Sequence, residues 1–228
     1  MDLVVFDCDG VLVDSELISN GLLAEMMTEL GHPMTAEDAI RTFAGRSLTD
    51  ILALAAGILG REVPDELGQA YGRRLLDRLA RDLKPVEGIN AAVAALPYRR
   101  CVASSSSFER IRLSLDVTDL TPLFDGHIFS ATQVAYGKPA PDLYLLAART
   151  MGAVPARCVV VEDSPLGVAA AVAAGMAAIG FTGAGHAPSD LARQLAGAGA
   201  RRVVSSMREL PGTIAVLAGH GGQPSVVE

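Results

Sequence analysis

Four apolar residues in a row, Leu3, Val4, Val5 and Phe6, run straight into Asp7-Cys8-Asp9-Gly10. No other stretch constrains the chain so tightly. An unbroken apolar run of strand length suits a strand buried on both faces of a parallel sheet, where no side meets solvent. Two carboxylates then fall at the strand's carboxyl end, and Gly10 releases a turn. Open α/β sheets gather their ligands at that end of the strands. Acids placed there serve as metal ligands, as nucleophiles or as both. Taken alone, Asp7 and Asp9 are read equally well as carboxylates that open a loop and cap the next helix.

The same junction recurs downstream. Residues 100–103 lead into Ser104, residues 127–130 precede Gly137-Lys138-Pro139, and Cys158-Val-Val-Val161 runs directly into Glu162 and Asp163. Residues 176–181 and 202–204 supply two further strand-like runs. Helical patterns lie between them, over 89–96, over 108–115 and after Pro141. Residues 14–84 differ, because they carry helix signals and no strand signal. Ser15 is placed to cap a first helix that Gly31 ends, and Thr35-Ala-Glu-Asp38 reads as a capping box. Ser47-Leu-Thr-Asp50 repeats that signature before a stop at Gly60, and Pro64-Asp65 opens a fourth helix. Its charges alternate in sign, with Arg73 near Asp77, Asp77 near Arg81 and Arg78 near Asp82. That spacing predicts a solvated face of i,i+4 pairs. The shift in pattern divides the chain into an α/β core, residues 1–13 and 86–228, and a helical insert, residues 14–85.

Composition excludes several functions. With 19 basic and 26 acidic residues the net charge is −7, which leaves no basic surface for non-specific binding of nucleic acid or an anionic membrane. An anionic substrate would need a metal or individually placed Lys and Arg side chains. The three cysteines, Cys8, Cys101 and Cys158, each lie in or beside an apolar run and read as buried thiols in a reducing compartment. Met1-Asp2 leads directly into strand-like sequence, and the Ala-rich stretch 167–179 is too short to span a bilayer. A cytoplasmic protein is expected. The four histidines, His32, His127, His186 and His220, show no ligand spacing, and Gly180 to Gly185 holds only a fragment of a dinucleotide fingerprint.

In a parallel sheet the carboxyl ends share one rim, so Asp7, Asp9, Ser104, Lys138, Glu162 and Asp163 can converge. Asp7, Asp9 and Asp163 offer hard oxygen ligands of the kind Mg²⁺ takes at roughly 2.1 Å. Lys138 is a point positive charge that offsets crowded acids. Ser104, with the N–H groups of the helix after it, can hold phosphate oxygens. Ser105 to Ser107 read better as an N-cap run. Cys8 sits between two candidate catalytic acids, but strand alternation buries it.

In order along the chain, Asp7-x-Asp9-Gly10-Val-Leu-Val-Asp14-Ser15-Glu16, Ser104, Gly137-Lys138-Pro139-x-Pro141-Asp142 and Val-Val-Glu162-Asp163-Ser-x-x-Gly167 resemble the four motifs of the haloacid dehalogenase-like hydrolases. The resemblance covers nearly all of the core. It implies a Rossmann-like parallel sheet flanked by helices, with residues 14–85 as a small helical cap domain. It implies a phosphatase of the branch that also contains β-phosphoglucomutase. Asp7 would attack phosphorus, and Asp9 would protonate the leaving oxygen and then activate water. Asp7, Asp163 and the backbone carbonyl of Asp9 would hold Mg²⁺, with Glu162 supporting the metal shell. Ser104, Ser105 and Lys138 would hold the transferring phosphoryl group. An Asp with an ordinary pKa of about 3.9 must be shifted up to act as an acid near neutrality, and for Asp9 burial under a closed cap is the expected source of that shift.

Within the family, dehalogenases are implied to lack the second Asp of the first motif, which here is present as Asp9. The mutases are implied to pair a cap histidine with a cap arginine after a Gly-x-Ser turn. Residues 17–21 contain no His, and Leu48 follows Gly45-Arg46-Ser47. A non-catalytic protein on the same scaffold would have lost Asp7, Asp9, Lys138 or Asp163. The expected substrate is a small phosphate ester, a sugar phosphate or phosphosugar acid. Its specificity would be set by the cap residues Glu16, Asn20, Gly45, Arg46 and Ser47. The protein is expected to act as a monomer or weak homodimer, without nucleic acid or membrane.

Overall fold

A computed structural model describes residues 1–185, 187 and 189–219. His186, Pro188 and residues 220–228, His220 among them, lie outside the described residues.

Strand β1, Leu3–Phe6, is completely buried at every position. It is flanked by β2, Arg99–Ser104, and β4, Cys158–Glu162. With β3, Ile128–Ser130, β5, Ala177–Phe181, and β6, Arg202–Val204, it forms a parallel sheet in the order β3-β2-β1-β4-β5-β6. The chain builds outward from β1 to β3, then returns to the other side of β1 for β4. That reversal makes the β1/β4 border a topological switch point, where the two sets of loops part and leave a crevice. In register, Phe6 pairs with Val102 on one side and Val161 on the other, so Asp7 and Glu162 emerge side by side.

Period-two alternation explains why β1 is apolar throughout. Val4 and Phe6 join one apolar cluster and Leu3 and Val5 another, on the opposite face. The first face is covered by α5, Ile89–Ala94, α6, Phe108–Val117, and α10, Leu210–Gly219. The second is covered by α7, Asp142–Thr150, α8, Pro165–Ala173, and α9, Leu191–Gly197.

Between β1 and α5 run the four helices expected from the caps: α1, Glu16–Glu29, α2, Ala36–Phe43, α3, Leu48–Leu59, and α4, Asp65–Asp82. The Thr35–Asp38 capping box forms, and Gly60 takes the left-handed conformation that stops α3. Val13 bridges to Pro85, and the Val86 N–H donates to the Leu12 carbonyl at 3.0 Å, so the outgoing and returning chains lie side by side. Leu23 and Met27 of α1 and Leu75 and Leu79 of α4 share the apolar cluster of Val4 and Phe6.

Two local expectations are corrected. Ser15 precedes α1 but makes no side-chain cap, because its hydroxyl donates to Asp9 instead. The ion pairs of α4 do not run along the helix. Arg74 and Arg78 reach across to Glu25 on α1, Arg74 also to Glu29, at 2.9 to 3.4 Å. α4 packs against α1, which sets Glu25 and Glu29 opposite Arg74 and Arg78. No single helix among the described residues is long and apolar enough to cross a membrane.

Candidate active site

Lys138 is the centre of the rim. It is 6% exposed, and its Nζ donates to Asp7 Oδ1 and to Glu162 Oε2, each at 2.8 Å. Burial opposes the ammonium charge, but Asp7 and Glu162 outweigh it and make the proton harder to remove than from an ordinary lysine. Glu162 is fixed further by the Tyr144 hydroxyl at 2.6 Å and by the Ser164 hydroxyl at 2.6 Å. Ser164 in turn accepts from the Gly167 N–H, capping α8.

Asp7, Glu162 and Asp163 each bring a carboxylate oxygen within 4.8 Å of the others. Three acids against one lysine leave negative charge uncompensated. Burial, joined by the Glu162 and Asp9 charges against the Lys138 charge, pushes Asp7 up to about 8. Burial and the charges of Glu162, Glu16 and Asp7 push Asp163 well above the carboxylate range. A set of hard oxygens that repel one another in this way fits a divalent cation such as Mg²⁺.

The Asp9 side chain stands apart from that set. Its carboxylate accepts from Ser15 Oγ at 2.6 Å, Ser106 Oγ at 2.6 Å and Arg110 Nη2 at 2.5 Å. Burial alone would raise Asp9. The Arg110 guanidinium and the two hydroxyls outweigh burial and hold the carboxyl below its ordinary value. The expectation that burial lifts Asp9 is therefore overturned, and the cause is a cation absent from the sequence motifs. Arg110 lies in the first turn of α6, whose start Ser107 caps at 3.3 Å. Helical side chains lean toward the helix N-terminus, which is where the rim lies. That offset from a cap was the available signal. Tyr144 and Ser106 had none beyond proximity.

The four serines from the end of β2 onward, Ser104 to Ser107, divide their work. Ser104 is 1% exposed and accepts from the Ser106 N–H at 3.1 Å. Ser105 donates to the Gly45 carbonyl at 3.2 Å, which ties the rim to the turn before α3. Only Ser107 caps the helix, so the N-cap reading is corrected for Ser105 and Ser106. Cys8 is buried, and burial together with Asp9 and Asp7 pushes its thiol well up, as suits an inert side chain.

From the helical segment, Glu16, Asn20, Gly45 and Arg46 line a cavity of about 50 Å³ together with Asp7, Asp9, Ser104 and Asp163. Asn20 Nδ2 donates to Glu16 Oε2 at 2.7 Å. Ser47 is not brought in: it caps α3 through Asp50, at 3.2 Å from the amide and 2.6 Å from the carboxylate. By itself that cavity is small for a whole carbohydrate ester.

The family model for haloacid dehalogenase-like hydrolases matches residues 1–175 of the chain. A 6-phosphogluconate phosphatase of Escherichia coli is 30% identical over 82% of this chain and 85% of its own length. A phosphorylated carbohydrates phosphatase of Thermotoga maritima is 32% identical over 77% of this chain and 82% of its own. Among solved structures, a conserved haloacid dehalogenase-like protein of unknown function from Agrobacterium tumefaciens superposes with a TM-score of 0.84. It is 40% identical, covering 96% of this chain and 99% of that one.

Proposed function

The chain belongs to the haloacid dehalogenase-like hydrolases, and we propose that within that family it is a Mg²⁺-dependent phosphatase of sugar phosphates or phosphosugar acids, working through an aspartyl-phosphate. The observation that carries this reading is the Lys138 bridge between Asp7 and Glu162, with Asp163 in the same acidic cluster. The related phosphatases of carbohydrates support the substrate class.

Asp7, Asp163 and the backbone carbonyl of Asp9 would hold the metal, with Glu162 behind them. The ion would supply charge neutralisation between the acids and the phosphoryl oxygens. An Asp7 carboxylate oxygen attacks phosphorus, and the bond from phosphorus to the ester oxygen breaks. Asp9 gives that oxygen its proton. In the second half Asp9 takes a proton from water, the hydroxide attacks phosphorus, and the bond to Asp7 breaks to release inorganic phosphate. Lys138, and the N–H groups and hydroxyls of Ser104 and Ser105, offer positive charge and donors to the phosphoryl oxygens. Phosphoryl transfer asks for little beyond such positioning and charge.

The resting Asp9 is ionised and tied to Arg110, as suits the water half. The ester half requires that tie to loosen and Asp9 to take up a proton from solvent, which it then gives to the leaving oxygen; the proton taken from water in the second half restores the acid for the next turnover. Asp7→Asn supplies an amide that cannot form the acyl-phosphate. Phosphate release from sugar phosphates should fall at least about a thousandfold in that variant. Turnover within about tenfold of wild type would reject the covalent route. In the same assay, conversion of a hexose phosphate to its isomer with little free phosphate would favour the mutase chemistry instead.

A further inference from the structure

Arg110 is short of partners. A guanidinium carries five N–H donors. Nη2 donates to Asp9, while Nε is buried with no acceptor among the described residues. A buried donor left without a partner is unfavourable, the more so on a charged group. Asp9, by contrast, is fully supplied, and would keep Ser15 and Ser106 if Arg110 turned elsewhere.

The position of Arg110 suggests where it would turn. It lines both the small cavity over Asp7 and a larger one of about 560 Å³ between α3, α4 and the start of α6. Arg46, Tyr71 and Ser106 also line both. The larger cavity has the size of a small-molecule site, and the smaller does not. An ester whose phosphorus lies at Asp7 and whose remainder enters this larger cavity passes Arg110.

We propose that Arg110 receives a second negative charge on the substrate, a carboxylate at the end of the carbon chain remote from the phosphoryl group. This deepens the phosphatase reading and rests on it: the substrate class is then the phosphosugar acids. A planar carboxylate takes two parallel N–H bonds from a guanidinium edge, which a hydroxyl cannot match. Asp65 and Glu109 line the larger cavity together with Arg46 and Arg73; these two acids and two cations offset one another and leave the single charge of Arg110, which matches a carboxylate better than the doubled charge of a second phosphate. When Arg110 exchanges Asp9 for the substrate, Asp9 is released toward the reacting ester.

The test compares an aldonic acid 6-phosphate with the hexitol 6-phosphate that carries CH₂OH in place of its carboxylate. Phosphate release is measured with Mg²⁺ for wild type, Arg110→Gln and Arg110→Lys. Wild type should prefer the acid by about tenfold or more in kcat/KM. The preference should fall to within about twofold in Arg110→Gln, and shrink in Arg110→Lys, which keeps the charge near Asp9 but not the fork. An equal fall for both substrates, or no preference in wild type, would overturn the proposal. Preference for a hexose bisphosphate over the acid would overturn the carboxylate. If Arg110→Gln fails to fold by circular dichroism, Arg110→Lys decides. Calorimetric titration of Asp7→Asn, with and without Arg110→Gln, gives a readout independent of turnover. The acid should bind more tightly by a similar factor, and lose that advantage with Arg110. A wild type that releases phosphate from no ester would sink the phosphatase reading, while the binding difference would still uphold or overturn the role of Arg110.

Discussion

Gly10 must be glycine for two separate reasons. Its φ is +73°, and a Cβ there would run into the Asp163 carboxylate. The first reason costs an alanine about 1–2 kcal/mol; the second displaces a proposed metal ligand. Gly10→Ala should therefore lower Mg²⁺ affinity about tenfold or more, measured by the metal dependence of phosphate release, with a smaller proportionate loss of thermal stability. Gly167 stands in the same relation to Glu162. The sequence reveals Gly10 as a turn, but not the neighbour that forbids a side chain. Glu16 gives a prediction in pH. Burial, reinforced by the Asp9 charge, pushes this half-buried acid up to about 7 from an ordinary 4.5. Below pH 4.5 it is protonated in both the folded and the unfolded chain. As pH rises toward 7 the unfolded chain releases the proton first, so stability falls through that window and stays lower above it. Glu16→Gln should then raise Tm at pH 8, by the equivalent of about 1–2 kcal/mol after allowance for solvent screening, and leave it unchanged near pH 4. An equal gain at both values would point to packing and not to charge.

Among the elements, the strands were legible because β1 and β4 are buried on both faces and have no reason to alternate. The helix caps at Thr35 and Ser47 were legible because their partners lie three residues away. Ser15 was misread because its true partner, Asp9, is brought near by a turn that the cap signature does not encode. For Arg110 the cap offset signalled only a side chain leaning toward the rim; its pairing with Asp9 was not legible, since 101 residues separate them and the parallel pairing of β1 with β2 closes that gap. The ion pairs from α4 to α1 were missed for a similar reason, and their worth is small. Glu25 and Arg74 are each more than 40% exposed. Glu25→Gln should cost no more than about 1 kcal/mol by urea denaturation, and nothing measurable in 1 M salt. Leu79→Ala, in the shared apolar cluster of the same helix, should cost about 2–5 kcal/mol at any salt concentration.

For the molecule as a whole, the acidic rim sets a balance between stability and chemistry. Asp7, Glu162 and Asp163 crowd together at the edge of the sheet, and their repulsion is offset within the chain by Lys138. Mg²⁺ that binds only the folded state should add about 2.7 kcal/mol when present at a hundred times its Kd, a rise of roughly 5–10 °C in Tm for a chain of this length. A chelator should reverse the rise, and Asp163→Asn should abolish most of it while raising Tm in metal-free buffer. A drop in metal-free Tm would show that Asp163 is held by bonds and not strained by its neighbours.

The order of strands has a last consequence. Because β1 lies between β2 and β4, its outer border stays open until the chain has travelled past residue 157. During synthesis on the ribosome, Asp7 therefore lacks its acidic neighbours Glu162 and Asp163 until β4 has emerged. The proposed centre is thus completed only when β4 pairs with β1 and sets Glu162 and Asp163 beside Asp7.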